Sequence, residues 1–130
     1  MCLEVIAQIL PESKGQVSAR RLSEVSRLHV SKVHFRGAPA LHFSVRGGCS
    51  CEFLSDSAEF EAAVWALAPQ HLPALAGAVS LLGSEARPFT FLAHWLDGGA
   101  PTETSKVKLS ALIWDIEGNQ VKNNVLYLVG

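Results

Sequence analysis

Residues 40–54 read Ala40-Leu41-His42-Phe43-Ser44-Val45-Arg46-Gly47-Gly48-Cys49-Ser50-Cys51-Glu52-Phe53-Leu54, and the alternation within this stretch organises the rest of the chain. Two apolar runs, ALHFSV and CSCEFL, flank a glycine pair, which is the pattern of a β-hairpin. With Arg46-Gly47-Gly48 as a three-residue loop, Phe43 faces Cys51 and Leu41 faces Phe53, so both strands turn their apolar rows to one side. Glycine takes the left-handed conformation that such a loop needs without a Cβ clash. A two-residue loop of Gly47-Gly48 would set Phe43 against Glu52 and mix the faces, so the longer loop is expected.

Working outward, Leu28 to Arg36 alternates as a strand, with Val33 and Phe35 pointing one way and Lys32 and His34 the other. Arg36-Gly37-Ala38-Pro39-Ala40 then reads as a turn, because Pro39 lacks a donor and Gly37 is permissive. Pairing Phe35 with Leu41 and Val33 with Phe43 keeps the apolar side continuous over three strands. On the opposite side this register lines up His34, His42 and Glu52.

The remaining elements follow from periodicity. Cys2 to Leu10 alternates, with Leu3, Val5, Ala7 and Ile9 opposed to Glu4 and Gln8, as in a half-buried strand. Leu22, Val25 and Leu28 predict a short helix within Val17 to Leu28, although its serines offer competing hydrogen bonds. Asp56 and Glu59 form a capping-box spacing ahead of Phe60, Ala63, Val64 and Leu67. A second stripe runs through Leu72, Leu75, Ala76, Val79 and Leu82, with Gly83 as a stop signal. Residues 57–82 therefore read as a helical pair. Phe89 to Asp97 alternates as a strand, Gly98 to Ser105 is a polar loop, Leu109 to Ile116 is apolar on both sides like a central strand, and Asn124 to Val129 is a last strand. The sum is an α+β two-layer sandwich, a mostly antiparallel sheet with the helical pair on one face.

The chain has 130 residues, enough for one domain spanning 1–130 that buries a core without staples. Apolar residues make up 48% and charged residues 18%, which excludes a disordered chain. No run reaches the roughly 18 apolar residues that a membrane span needs, and there is no basic segment followed by an apolar stretch at the start. A cytoplasmic protein without a membrane partner is expected. Formal charge is −1, which attracts neither nucleic acid nor acidic lipid. The basic side chains are nonetheless concentrated early, and Arg20, Arg21 and Arg27 are the candidates for an anion or RNA contact.

Three cysteines, an odd number, do not make a disulfide framework. Two histidines and a carboxylate are a ligand set for iron, and also suit zinc with an open position. His34, His42 and Glu52, about 5 Å apart if directly opposite, are the candidates. Cys49 and Cys51 would share one face of a strand at about 6.5–7 Å between Cα atoms, the far limit for a disulfide. Joined by Cys2 they can hold a soft metal such as Cu(I) or Zn. On the Phe43 side, however, they are expected to be buried beneath the helices and inert. Nucleophile elbows and phosphate-binding glycine loops are absent from the sequence.

These residues point first to a small binding or interaction domain without catalytic activity. It is expected to self-associate as a homodimer, because a strand that is apolar on both sides needs a second cover. The alternative is a small metal-dependent enzyme on His34, His42 and Glu52, or a thiol-dependent one on Cys49 and Cys51. Anion or RNA binding through the early arginines is the third reading.

Overall fold

A computed structural model of the chain describes residues 2–59, 62–96 and 99–130. In chain order the elements are β1 (Leu3–Ile9), α1 (Ala19–Ser26), β2 (His29–Phe35), β3 (Ala38–Ser44), α2 (Leu72–Glu85), β4 (Phe89–Trp95), β5 (Glu103–Val107), α3 (Leu109–Glu117) and β6 (Val125–Val129), with 3-10 turns at Ser50–Phe53 and Pro69–His71. The fold is α+β. Its six strands form one sheet in the order β2-β3-β1-β4-β6-β5, antiparallel except for the parallel pair β5 and β6. No helix among the described residues is long and apolar enough to cross a membrane.

β1 lies inside the sheet, with Leu3, Val5 and Ala7 buried on one side and Ile6 on the other. Leu3, Val5 and Ala7 join a buried cluster with Phe43, Phe91, Ala93 and Tyr127 from neighbouring strands, and with Leu22 of α1, Leu75, Val79 and Leu82 of α2, and Leu112 and Ile116 of α3. Burying one such side chain contributes roughly 1.5–3 kcal/mol, so the cluster outweighs any local turn preference. The other side of β1 sets Glu4 opposite His94 and Ile6 opposite both Leu92 and His42. Ile6 is 2%, Leu92 1% and His94 3% exposed. The sheet itself curls over them. Phe35 at the end of β2 meets the His94 ring edge-on at 5.5 Å between centroids, whereas three flat strand spacings would separate β2 from β4 by about 14 Å.

Several expected elements are confirmed and others corrected. The helix within residues 17–28 forms as α1, capped by the Ser18 side chain, which accepts from the Arg21 amide. Its serines end it as well as start it: Ser23 exchanges two bonds with Val30, and Ser26 accepts from Leu28. The pair expected over 57–82 is not formed, since among the described residues only Pro69–His71 and Leu72–Glu85 are helical there. The stripe residue Phe60 lies outside the described residues. Gly83 is not a stop but a point of close approach: a Cβ there would sit 2.4 Å from a methyl of Leu109. The loop expected from Gly98, itself outside the described residues, to Ser105 gives way to β5 from Glu103 onward.

Leu109 to Ile116, expected as a central strand, is helix α3. Its short apolar run supports either period, and Leu112 and Ile116 at helical spacing are the two that become buried. Trp114 points outward at 79% exposure. The premise for a covering second subunit, a strand apolar on both sides, therefore falls.

Candidate metal centre

The site begins with a turn that is not the expected one. β2 and β3 are joined by Arg36-Gly37 alone, both at positive φ (52 and 78), the conformation of the tightest hairpins. Phe35 consequently pairs with Ala38, Val33 with Ala40 and Ser31 with His42, three residues away from the expected register. An odd shift exchanges the two sides of a strand. His34 now stands opposite Pro39, on the same side as Leu41 and Phe43, while His42 is on the other side with Ile6. The structure does not bring His34 and His42 together. Glu52 is elsewhere again, accepting from the Arg46 amide at 3.2 Å.

β3 has β1, not residues 49–54, as its second neighbour. Released from the sheet, Cys49-Ser50-Cys51 folds as a 3-10 turn in which the Cys49 sulfur caps the Cys51 amide. The turn docks against the first residues of β1. The Leu3 amide donates to Cys51 Sγ at 3.1 Å and the Val5 amide to Ser50 Oγ at 3.1 Å. The Ser50 hydroxyl donates to the Phe43 carbonyl. Val5 and Phe43 are cross-strand partners, so this hydroxyl is inserted into the sheet ladder between them.

His42 Nε2 lies 3.2 Å from Ser50 Oγ. Since the single hydroxyl proton goes to a carbonyl that can only accept, Nε2 carries its own hydrogen and donates. In this arrangement His42 donates to Ser50 rather than accepting its proton. Burial pushes the His42 imidazole below its ordinary value, against the attraction of Glu4. On β4, across β1 from β3, His94 Nε2 lies 2.8 Å from Glu4 Oε1, and His94 Nδ1 is buried without a hydrogen-bond partner among the described residues.

Docking the turn on β1 places its cysteines beside Cys2. The sulfur atoms of Cys2, Cys49 and Cys51 all lie within 4.8 Å of one another, and among the described residues they are the group of His, Cys, Asp and Glu side chains close enough to share an ion. Cys49 and Cys51 are partly exposed and Cys2 is exposed, which corrects the expectation that the pair is buried beneath the helices. A zinc–sulfur bond of about 2.3 Å implies sulfur separations of about 3.8–4.0 Å, within about 1 Å of those the three sulfur atoms already have. Cys49 and Cys51 stand at 2.8 Å and would open by about 1 Å. Amide hydrogens on both sulfurs of the turn, from Leu3 at 3.1 Å and Cys51 at 3.3 Å, are the outer partners that hold thiolate ligands in place.

Burial, followed by the hydrogen bond to Cys51, pushes the Cys49 thiol up to about 12. At neutral pH Cys49 is a protonated thiol and a weak nucleophile. A metal ion reverses this, because a coordinated thiol is deprotonated outright.

The three arginines do not converge. Arg20 pairs with Glu24 one helical turn away, Arg21 is held by Glu85, and Arg27 forms the left-handed C-cap of α1. Sequence reasoning did not pair Glu4 with His94, since their contact depends on β1 lying next to β4. No protein-family model matches the chain, and no curated protein or solved structure matches it significantly.

Proposed function

We propose that this chain is a non-catalytic binding domain for a thiophilic metal ion, Cu(I) or Zn(II), ligated by Cys2, Cys49 and Cys51 in a reducing, cytoplasmic setting. The observation that carries the reading is the gathering of three sulfur atoms within 4.8 Å from two segments more than forty residues apart in sequence. Soft thiolates select these ions, and exposure of Cys2 leaves one side open for a water or an exchanging ligand. The raised Cys49 thiol argues against a thiol-dependent enzyme working through a free thiolate. The test is an anaerobic titration of reduced protein with Cu(I) and, separately, Zn(II). One ion per chain is expected, with loss of at least about tenfold in affinity, or about 1.4 kcal/mol, in Cys49→Ser and Cys51→Ser. Unchanged affinity in both variants would overturn the proposal.

Self-association is a second reading. It is favoured by Trp114, 79% exposed on α3, and by a groove of about 670 Å³ between α2 and α3 lined by Leu72, Pro73, Ala76 and Ile113. Sedimentation at micromolar concentration that returns a monomer would dismiss it.

A further inference from the structure

The turn that carries two of the proposed ligands has a second property. Residues two apart on an extended strand stand about 6.5–7 Å apart at Cα, beyond the usual span of a disulfide. The 3-10 turn Ser50–Phe53 removes that obstacle by coiling the backbone between Cys49 and Cys51. Their sulfur atoms are 2.8 Å apart, so a bond of about 2.05 Å needs less than about 1 Å of further approach. Ser50, between them, is fixed by its bonds to Val5, Phe43 and His42. Cys2, the third ligand, reaches the group from another segment.

We infer that Cys49 and Cys51 form a reversible disulfide that competes with the metal ion, making the centre a redox-gated site; this rests on the metal reading above. The oxidant is a low-molecular-weight disulfide such as glutathione disulfide. One cysteine of the pair sheds its proton and attacks a glutathione sulfur, forming a mixed disulfide and releasing one glutathione thiolate. The other sheds its proton as it attacks the protein sulfur of that mixed disulfide and releases the second. Two electrons pass from the cysteine pair to glutathione disulfide, and the two protons shed by the cysteines are balanced by those taken up by the two glutathione thiolates. The bond removes two of three ligands, and Cys2 alone does not retain the ion. A disulfide that closes so short a loop gains little from restricting the unfolded chain, and partial exposure leaves it open to attack by thiols. Both favour a labile, regulatory bond over a structural one.

The experiment equilibrates the full-length chain, metal-free and metal-loaded, in buffers of defined reduced and oxidised glutathione, then traps free thiols and reads intact and peptide masses. In metal-free protein the expected result is a Cys49–Cys51 disulfide in wild type and in Cys2→Ser, and at least about tenfold less intramolecular disulfide in Cys49→Ser and Cys51→Ser. In loaded protein, one ion per chain should appear in a chromogenic chelator in step with that disulfide. Absence of the Cys49–Cys51 bond at the most oxidising ratio, or its formation without release of the ion, overturns the inference. Failure of the reduced protein to load metal at all would defeat the metal reading instead, and is seen before any oxidant is added.

Discussion

Replacing Ser50 by alanine removes the buried hydroxyl that, together with the bonds between the cysteine sulfurs and Leu3, holds the cysteine turn to the sheet. Ser50 is 0% exposed and its hydroxyl serves the Val5 amide, the Phe43 carbonyl and His42 Nε2. Each buried polar group left without a partner costs about 1–3 kcal/mol. His42 is half-buried and recovers part of its bond from water, while Val5 and Phe43 face each other and regain part of theirs by closing directly. A net loss of about 3 kcal/mol follows, a large share of a typical stability of roughly 5–15 kcal/mol. Urea unfolding followed by tryptophan fluorescence reads it, since Trp65 is buried. With a denaturant slope of about 1.5–2 kcal/mol per molar, the midpoint should fall by about 1.5–2 M. The exposed Ser57→Ala serves as a control with no shift. A Ser50→Ala loss below about 1 kcal/mol would refute the account of the hydroxyl as a ladder insert.

Further expectations test other parts of the molecule. Glu4→Ala should cost about 2–3 kcal/mol in the same unfolding assay, because His94 would keep two buried nitrogens without a partner. Gly83→Ala should destabilise despite the better helix propensity of alanine, because the added methyl meets Leu109 at 2.4 Å; Leu109→Ala in the same chain should recover part of the loss. Stability should fall from about pH 9 to about pH 12. Tyr127 is raised to about 12 by burial and Cys49 to about 12 by burial and Cys51, so in this window the folded state keeps protons that the unfolded state releases. Below about pH 6.5 the lowered His42 acts in the opposite sense, since the unfolded chain takes up a proton that the folded state resists; thermal unfolding across pH with a His42→Gln control separates this from carboxylate effects. Zinc affinity should rise with pH between about 6 and 8, because each bound thiolate must shed a proton, and a flat profile would contradict thiolate ligation.

The sequence already carries every period that the structure uses. Leu3, Val5 and Ala7 alternate on one side of β1, the Leu72 to Leu82 stripe becomes α2, and Leu109, Leu112 and Ile116 hold a helical spacing inside a run that reads equally well as a strand. The cysteine pair, and Cys2 as its companion, were also legible as residue types. Which strands are neighbours was not. A two-residue alternation satisfies many registers equally, and local pattern favours the nearest partner in sequence, whereas the fold selects the partner that buries most apolar surface. Here that partner of β3 is β1, about forty residues upstream. This long-range choice expels residues 49–54 from the sheet, moves His34 and His42 to opposite sides, sets Glu4 against His94, and draws three sulfur atoms from two ends of the loop into one cluster.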